Sequence, residues 1–76
     1  MPRRRRWDWA RWGVHLKARR GGRRWTQRDL AARVGVTRNT ITRLEAGTRR
    51  PSVELLDRLA TAFDLSYEDV LKGAWR

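Results

Sequence analysis

Residues 26–47, TQRDLAARVGVTRNTITRLEAG, carry local signals for two short helices joined by a tight turn. Thr26 is placed to cap the first helix. Its hydroxyl can accept from an orphan backbone N–H, and Asp29, three positions on, completes a capping-box pattern. Trp25 and Leu30 occupy the positions of a hydrophobic staple. Leu30, Ala31 and Val34 share one face at helical spacing. Gly35 supplies the left-handed residue that ends a helix and lets the chain turn sharply. Thr37 caps the second helix, with Val36 and Ile41 as its staple. Ile41 and Leu44 face inward, and Gly47 ends the element. The opposite face keeps Arg38, Asn39, Thr42 and Arg43.

Outward from this hairpin the chain reads as helices with short connections. Residues 1–6, MPRRRR, contain no apolar anchor beyond Met1 and are expected to form a disordered basic arm. Asp8 is placed to cap a helix, with Trp7 and Trp12 at staple positions. Trp9, Trp12, Leu16 and Arg20 fall on one face of that helix, and Gly21-Gly22 predicts its end near Arg20. Gly13 inside it costs about 1 kcal/mol relative to alanine, which predicts a bend there or a later start. On the other side, Ser52 caps a fourth helix with the apolar stripe Val53, Leu56, Leu59, Ala60 and Phe63, ended by Asp64. Ser66 caps a fifth, with Asp69 at the capping-box position, Leu65 and Val70 as staple, and Gly73 as terminator. Ala74-Trp75-Arg76 is expected to trail. Proline occurs only at positions 2 and 51, outside every helix interior, and strand-like alternation is absent. The expectation is an all-α, five-helix bundle, one domain over residues 7–76 with its helix-turn-helix at 26–47.

These motifs resemble the helix-turn-helix of the phage repressor/Cro type, the XRE family. The spacing of Ala31, Gly35, Ile41 and Leu44 matches the family's small residue, turn glycine and two core aliphatics. Leu44-Glu45-Ala46-Gly47, Arg50-Pro51-Ser52 and the helix from Leu55 to Ala60 continue the likeness, which runs from about Trp12 to Gly73. The resemblance implies a lambda-repressor-like fold and a second helix that enters the DNA major groove with its N-terminal residues at base edges. On that docking the base-reading residues are Arg38, Asn39, Thr42 and Arg43. Arginine can take guanine O6 and N7 together, and asparagine adenine N6 and N7. Phosphate contacts fall to Gln27 and Arg28 at the start of the first motif helix, Thr37 at the second, and Thr48, Arg49 and Arg50 beyond it. Arg23 and Arg24 join them from the preceding loop, and Arg3, Arg4, Arg5 and Arg6 from the arm. The family sets an arginine of its first helix against the Glu45 position, which here implies a structural pair between Arg20 and Glu45. Three features depart from the pattern. Arg24 stands where a glycine is usual, so the first connection is expected to differ in shape. The first helix is rich in tryptophan, and the arginine arm is additional.

Composition agrees with a polyanion partner. Of 76 residues, 19 are Lys or Arg and 8 are Asp or Glu, for a net charge of +11. The charge is segregated: residues 1–50 hold all of the basic excess, and residues 51–76 are net acidic. Such polarity favours docking to nucleic acid through the N-terminal two-thirds. There is no cysteine, hence no disulfide and no thiolate metal site. His15 is the only histidine and has no neighbouring ligand in sequence. No nucleophile–base pair or phosphate-loop glycine pattern is present, so neither an enzyme nor a cofactor, metal or small-molecule ligand is expected.

The reading is a sequence-specific double-stranded DNA-binding regulator, a small repressor of phage or mobile-element type. It is expected to bind a pseudo-palindromic operator as a homodimer, in the cytoplasm and on the nucleoid. Two alternatives stay open. One is an antitoxin or protein-interaction adaptor on the same fold. The other is a nonspecific cationic binder of nucleic acid or membrane, suggested by the interleaved RRRRWDWARW segment.

Overall fold

A computed structural model describes residues 6–75. Arg3, Arg4 and Arg5 of the basic arm lie outside the described residues, whereas Arg6 is described and exposed. Five helices follow in order: α1 Trp9–Gly22, α2 Gln27–Val34, α3 Arg38–Ala46, α4 Val53–Phe63 and α5 Tyr67–Val70. Each starts at a short polar side chain, Asp8, Thr26, Thr37, Ser52 or Ser66, that accepts from the N–H three residues on. Such caps contribute about 1 kcal/mol each. At α2 the box closes both ways. Asp29 N–H donates to Thr26 Oγ1 at 3.0 Å, and Thr26 N–H donates to Asp29 Oδ2 at 2.8 Å. The Thr26 N–H holds the Asp29 carboxyl below its ordinary range.

One apolar core gathers the faces that the helical spacing marks. Trp12 and Leu16 of α1, Leu30 of α2, Ile41 and Leu44 of α3 and Leu59 of α4 are its largest fully buried side chains. Burying a leucine or isoleucine in this way is worth about 1.5–3 kcal/mol. The Trp12 indole N–H donates to Val70 O at 2.8 Å, so the ring is buried without an unpaired donor. Val53 does not follow the stripe of α4: it is the first residue of that helix and stands 71% exposed.

Several local expectations are corrected. Helix α1 does not start late; it begins at Trp9 and ends at Gly22, within the expected glycine pair and two residues past Arg20. Gly13 is there for proximity, because a Cβ at this position would meet the carbonyl oxygens of Leu44 and Glu45 at 2.5 Å. The C-terminal turn of α3 therefore rests directly on the α1 backbone. Trp7, expected to staple Trp12, instead stacks on Trp9 with centroids 5.0 Å apart and leans on Trp75 at 4.7 Å.

Ala74 and Trp75 do not trail, and Arg76 lies outside the described residues. Helix α5 is a single turn ending at Val70, and the chain turns through Gly73. Ala74 is then completely buried, Asp8 N–H donates to Ala74 O, and Trp7 and Trp75 form an isolated antiparallel bridge. Arg24 takes φ +58°, the left-handed conformation that a glycine would adopt at no cost. The connection from α1 to α2 thus carries an arginine in a left-handed backbone conformation.

Candidate nucleic-acid interface

The turn between α2 and α3 is set by Gly35 at φ +72°, where Val36 N–H closes back on Ala31 O. With the hairpin fixed, α3 divides cleanly. Thr40, Ile41 and Leu44 are buried, and Arg38, Asn39, Thr42 and Arg43 are exposed on the remaining face. Four polar side chains, two of them arginine, thus stand along one accessible side of a helix anchored by its other side.

Beneath this face a chain of polar contacts ties three helices together. Arg20 of α1 donates from Nε to Glu45 Oε2 at 2.6 Å and from Nη2 to Glu45 Oε1 at 3.1 Å. The third arm of the guanidinium, Nη1, donates to Trp25 O at 2.8 Å. The Glu45 side chain is 5% exposed and that of Arg20 14%. Hydrogen bonding to the carboxylate raises the Arg20 pKa above its ordinary value. Gln27, at the first position of α2, donates from Nε2 to Glu45 Oε1 at 3.0 Å. Its amide oxygen accepts from Thr42 Oγ1 at 3.0 Å. A recognition-face residue is thereby connected to the α1 guanidinium. Sequence spacing gave no signal for the Gln27–Thr42 bond, which depends on how α2 and α3 cross.

The structure groups some of the remaining candidates and separates others. Gln27, Arg28 and Arg38 line one shallow depression of about 500 Å³, with Thr26 and Arg20 at its side. Thr37 is engaged as a cap, sharing a 3.0 Å hydrogen bond with the Thr40 hydroxyl. In the loop after Gly47, Thr48 Oγ1 donates to Arg43 O at 3.3 Å and Arg49 Nη1 reaches Thr40 Oγ1 at 3.4 Å. Arg50 lies over the Trp9 ring at 5.6 Å, a contact between distant segments that local pattern could not show. Arg23 is drawn elsewhere. Its Nη2 donates to Phe63 O at 2.8 Å, at the last residue of α4, and its guanidinium lies 5.5 Å from the Trp25 ring centroid. Arg23 therefore serves the C-terminal end of α4 while remaining exposed. Arg24 is exposed. Among the described residues no group of three or more His, Asp or Glu side chains is placed to hold a metal ion. Among them, too, no helix is long and apolar enough to cross a membrane.

Known proteins place this architecture. The chain is similar to the restriction-modification controller protein C.AhdI from Aeromonas hydrophila, with a TM-score of 0.79 and 28% identity over 83% of this chain and 96% of that one. It is similar also to the P22 c2 repressor, crystallised in complex with a synthetic operator: TM-score 0.75, 32% identity, 82% of this chain and 94% of that one. Among curated relatives it is 37% identical over 59 residues to antitoxin PezA of Streptococcus pneumoniae, covering 78% of this chain and 37% of the antitoxin. The chain thus spans little more than a third of that relative's length. The helix-turn-helix family model matches residues 16–70, and the chain belongs to that family.

Proposed function

We propose that this member of the helix-turn-helix family is a sequence-specific double-stranded DNA-binding transcriptional regulator, a small repressor of the phage or mobile-element kind. One observation carries the reading: Arg38, Asn39, Thr42 and Arg43 stand exposed on the single face of α3 that the core does not use. A helix held from behind in this way fits the major groove, which is wide enough to admit it. Arg38 and Asn39, at the N-terminal end of α3, read bases first, and Thr42 and Arg43 follow one turn on. Gln27, Arg28, Thr37, Arg23, Arg24, Thr48, Arg49 and Arg50, with the arm Arg3–Arg6, meet phosphate and fix the register. The protein works as a homodimer on a pseudo-palindromic operator, with half-sites about 10–10.5 bp apart. No catalysis, cofactor or small ligand enters this function.

Selection of bound duplexes from random DNA tests the reading. Recovery of a two-fold-related motif, with binding that weakens steeply in salt, supports it. Binding that ignores sequence at every salt concentration refutes it.

A second reading, a DNA-binding antitoxin with a protein partner, draws on the PezA similarity and on Trp7 and Trp75, which stand 45% and 40% exposed beside one another. Co-purification with the product of an adjacent gene, lost on Trp75→Ala while DNA binding persists, would favour it.

A further inference from the structure

The contacts behind α3 do more than stiffen it, because each link fixes the direction of the next hydrogen bond. A carboxylate paired with a guanidinium can only accept. Glu45 Oε1 takes a hydrogen bond from Gln27 at 3.0 Å, so Gln27 must turn its NH2 group towards Glu45 and its oxygen the other way. That oxygen lies 3.0 Å from Thr42 Oγ1 and can only accept, so Thr42 must donate. A second acceptor, Arg38 O, stands 3.1 Å from the same hydroxyl. Thr42 has one hydroxyl proton, and both neighbours within reach demand it. What remains towards the exposed side is the oxygen's lone pairs and the methyl group.

We infer that Thr42 reads its base as a hydrogen-bond acceptor only, its proton held inward by Arg38 O and by the Gln27 oxygen that the Arg20–Glu45 pair orients. The inference rests on the DNA-binding reading above and deepens it. A free threonine hydroxyl can donate or accept and so discriminates poorly among bases. One whose proton is committed inward discriminates by chemistry. In the major groove the donors are adenine N6 and cytosine N4, while guanine O6 and thymine O4 are acceptors. Thr42 should therefore select an amino base over a keto base on the contacted strand, at one position in each half-site. Gln27 is then a positioning residue for specificity as well as a candidate phosphate contact.

The experiment is site selection from random duplexes with the full chain, followed by binding to all four bases at every position. The variants are Thr42→Ser, Thr42→Val and Gln27→Leu. The wild type should show one position where A or C is preferred over G or T by about five-fold, the discrimination of a single hydrogen bond. Thr42→Ser should keep that preference. Thr42→Val, at an exposed site, should fold normally and lose it there alone. Gln27→Leu should lower affinity for all sites and also reduce the amino-over-keto ratio at that position, a readout that loss of a phosphate contact would not move. A keto preference, or a profile unchanged by Thr42→Val, overturns the inference and leaves the DNA-binding reading standing. An unchanged ratio in Gln27→Leu, shown folded by its melt, removes Gln27 and the ion pair from the mechanism. If the wild type yields no motif, the DNA-binding reading itself fails.

Discussion

Arg20 and Glu45 join α1 to α3 through two parallel hydrogen bonds, at 2.6 and 3.1 Å, with the carboxylate almost wholly shielded from solvent. A pair so enclosed is expensive to break, though not necessarily stabilising as a whole, because desolvating both charges offsets much of their attraction. Glu45→Ala leaves a half-buried guanidinium without its partner and should cost about 3 kcal/mol. Arg20→Met combined with Glu45→Leu should recover much of that loss. Urea melts of the two singles and the double test this, and strict additivity would show that the two side chains act independently.

Gly13 should be a position where helix propensity points the wrong way. Alanine is better than glycine in a helix by about 1 kcal/mol. A methyl group here, however, would sit 2.5 Å from two backbone carbonyl oxygens of α3, atoms that cannot rotate aside. Forcing the helices apart should cost about 1–3 kcal/mol and outweigh the gain. Gly13→Ala is therefore expected to lower the melting temperature. A rise would mean that the α1–α3 approach is looser than described.

This position also shows where sequence reading stops. The caps at Asp8, Thr26, Thr37, Ser52 and Ser66 were legible because a cap is a contact within four residues. The core faces of α2 and α3 were legible because burial repeats with the helix period. Gly13 was misread as a weak point because its reason lies across the fold, in the carbonyls of Leu44 and Glu45. The tail was misread for the same reason. Ala74 looks like an unremarkable residue until α1 and α5 are brought together around it. Exposure of Arg38, Asn39, Thr42 and Arg43 follows from the helical period alone, but the Gln27–Thr42 and Trp9–Arg50 contacts require the packed structure. Arg20–Glu45 was reached only through family resemblance, since nothing in the intervening sequence signals it.

Arg24 holds a left-handed backbone at φ +58° that costs a non-glycine residue about 1–2 kcal/mol. Arg24→Gly relieves this, partly offset by the greater freedom of glycine in the unfolded chain. The net expectation is a gain of about 0.5–1 kcal/mol, or a few degrees in melting temperature for a domain of this size. If the guanidinium meets phosphate as proposed, the same variant should bind DNA less well at low salt. Greater stability with unchanged DNA affinity would leave Arg24 without a role at the interface. Lower stability would show that the turn needs the arginine side chain.

Arg38 and Arg50 should fail in different ways, although both remove one positive charge. Arg38 stands at the first position of α3 with its side chain exposed, where a bidentate head can meet guanine O6 and N7. Arg38→Ala should cost about 1–3 kcal/mol on the preferred site and relax discrimination at one base pair. Arg50 lies in the loop beyond α3, with its guanidinium held over Trp9. A head supported by an aromatic face from another segment is suited to a fixed charge, and phosphate carries no base identity. Arg50→Ala should therefore weaken all sequences alike and reduce the slope of log K against log salt by about one unit. Trp9→Leu, which withdraws the support but keeps the charge, should weaken binding by less and leave the slope unchanged. The measurement is a salt titration of both arginine variants on the preferred site and on single-base variants of it. A base-dependent loss for Arg50→Ala, or a uniform loss for Arg38→Ala, would reverse the assignment and place the loop, rather than the start of α3, at the base edges.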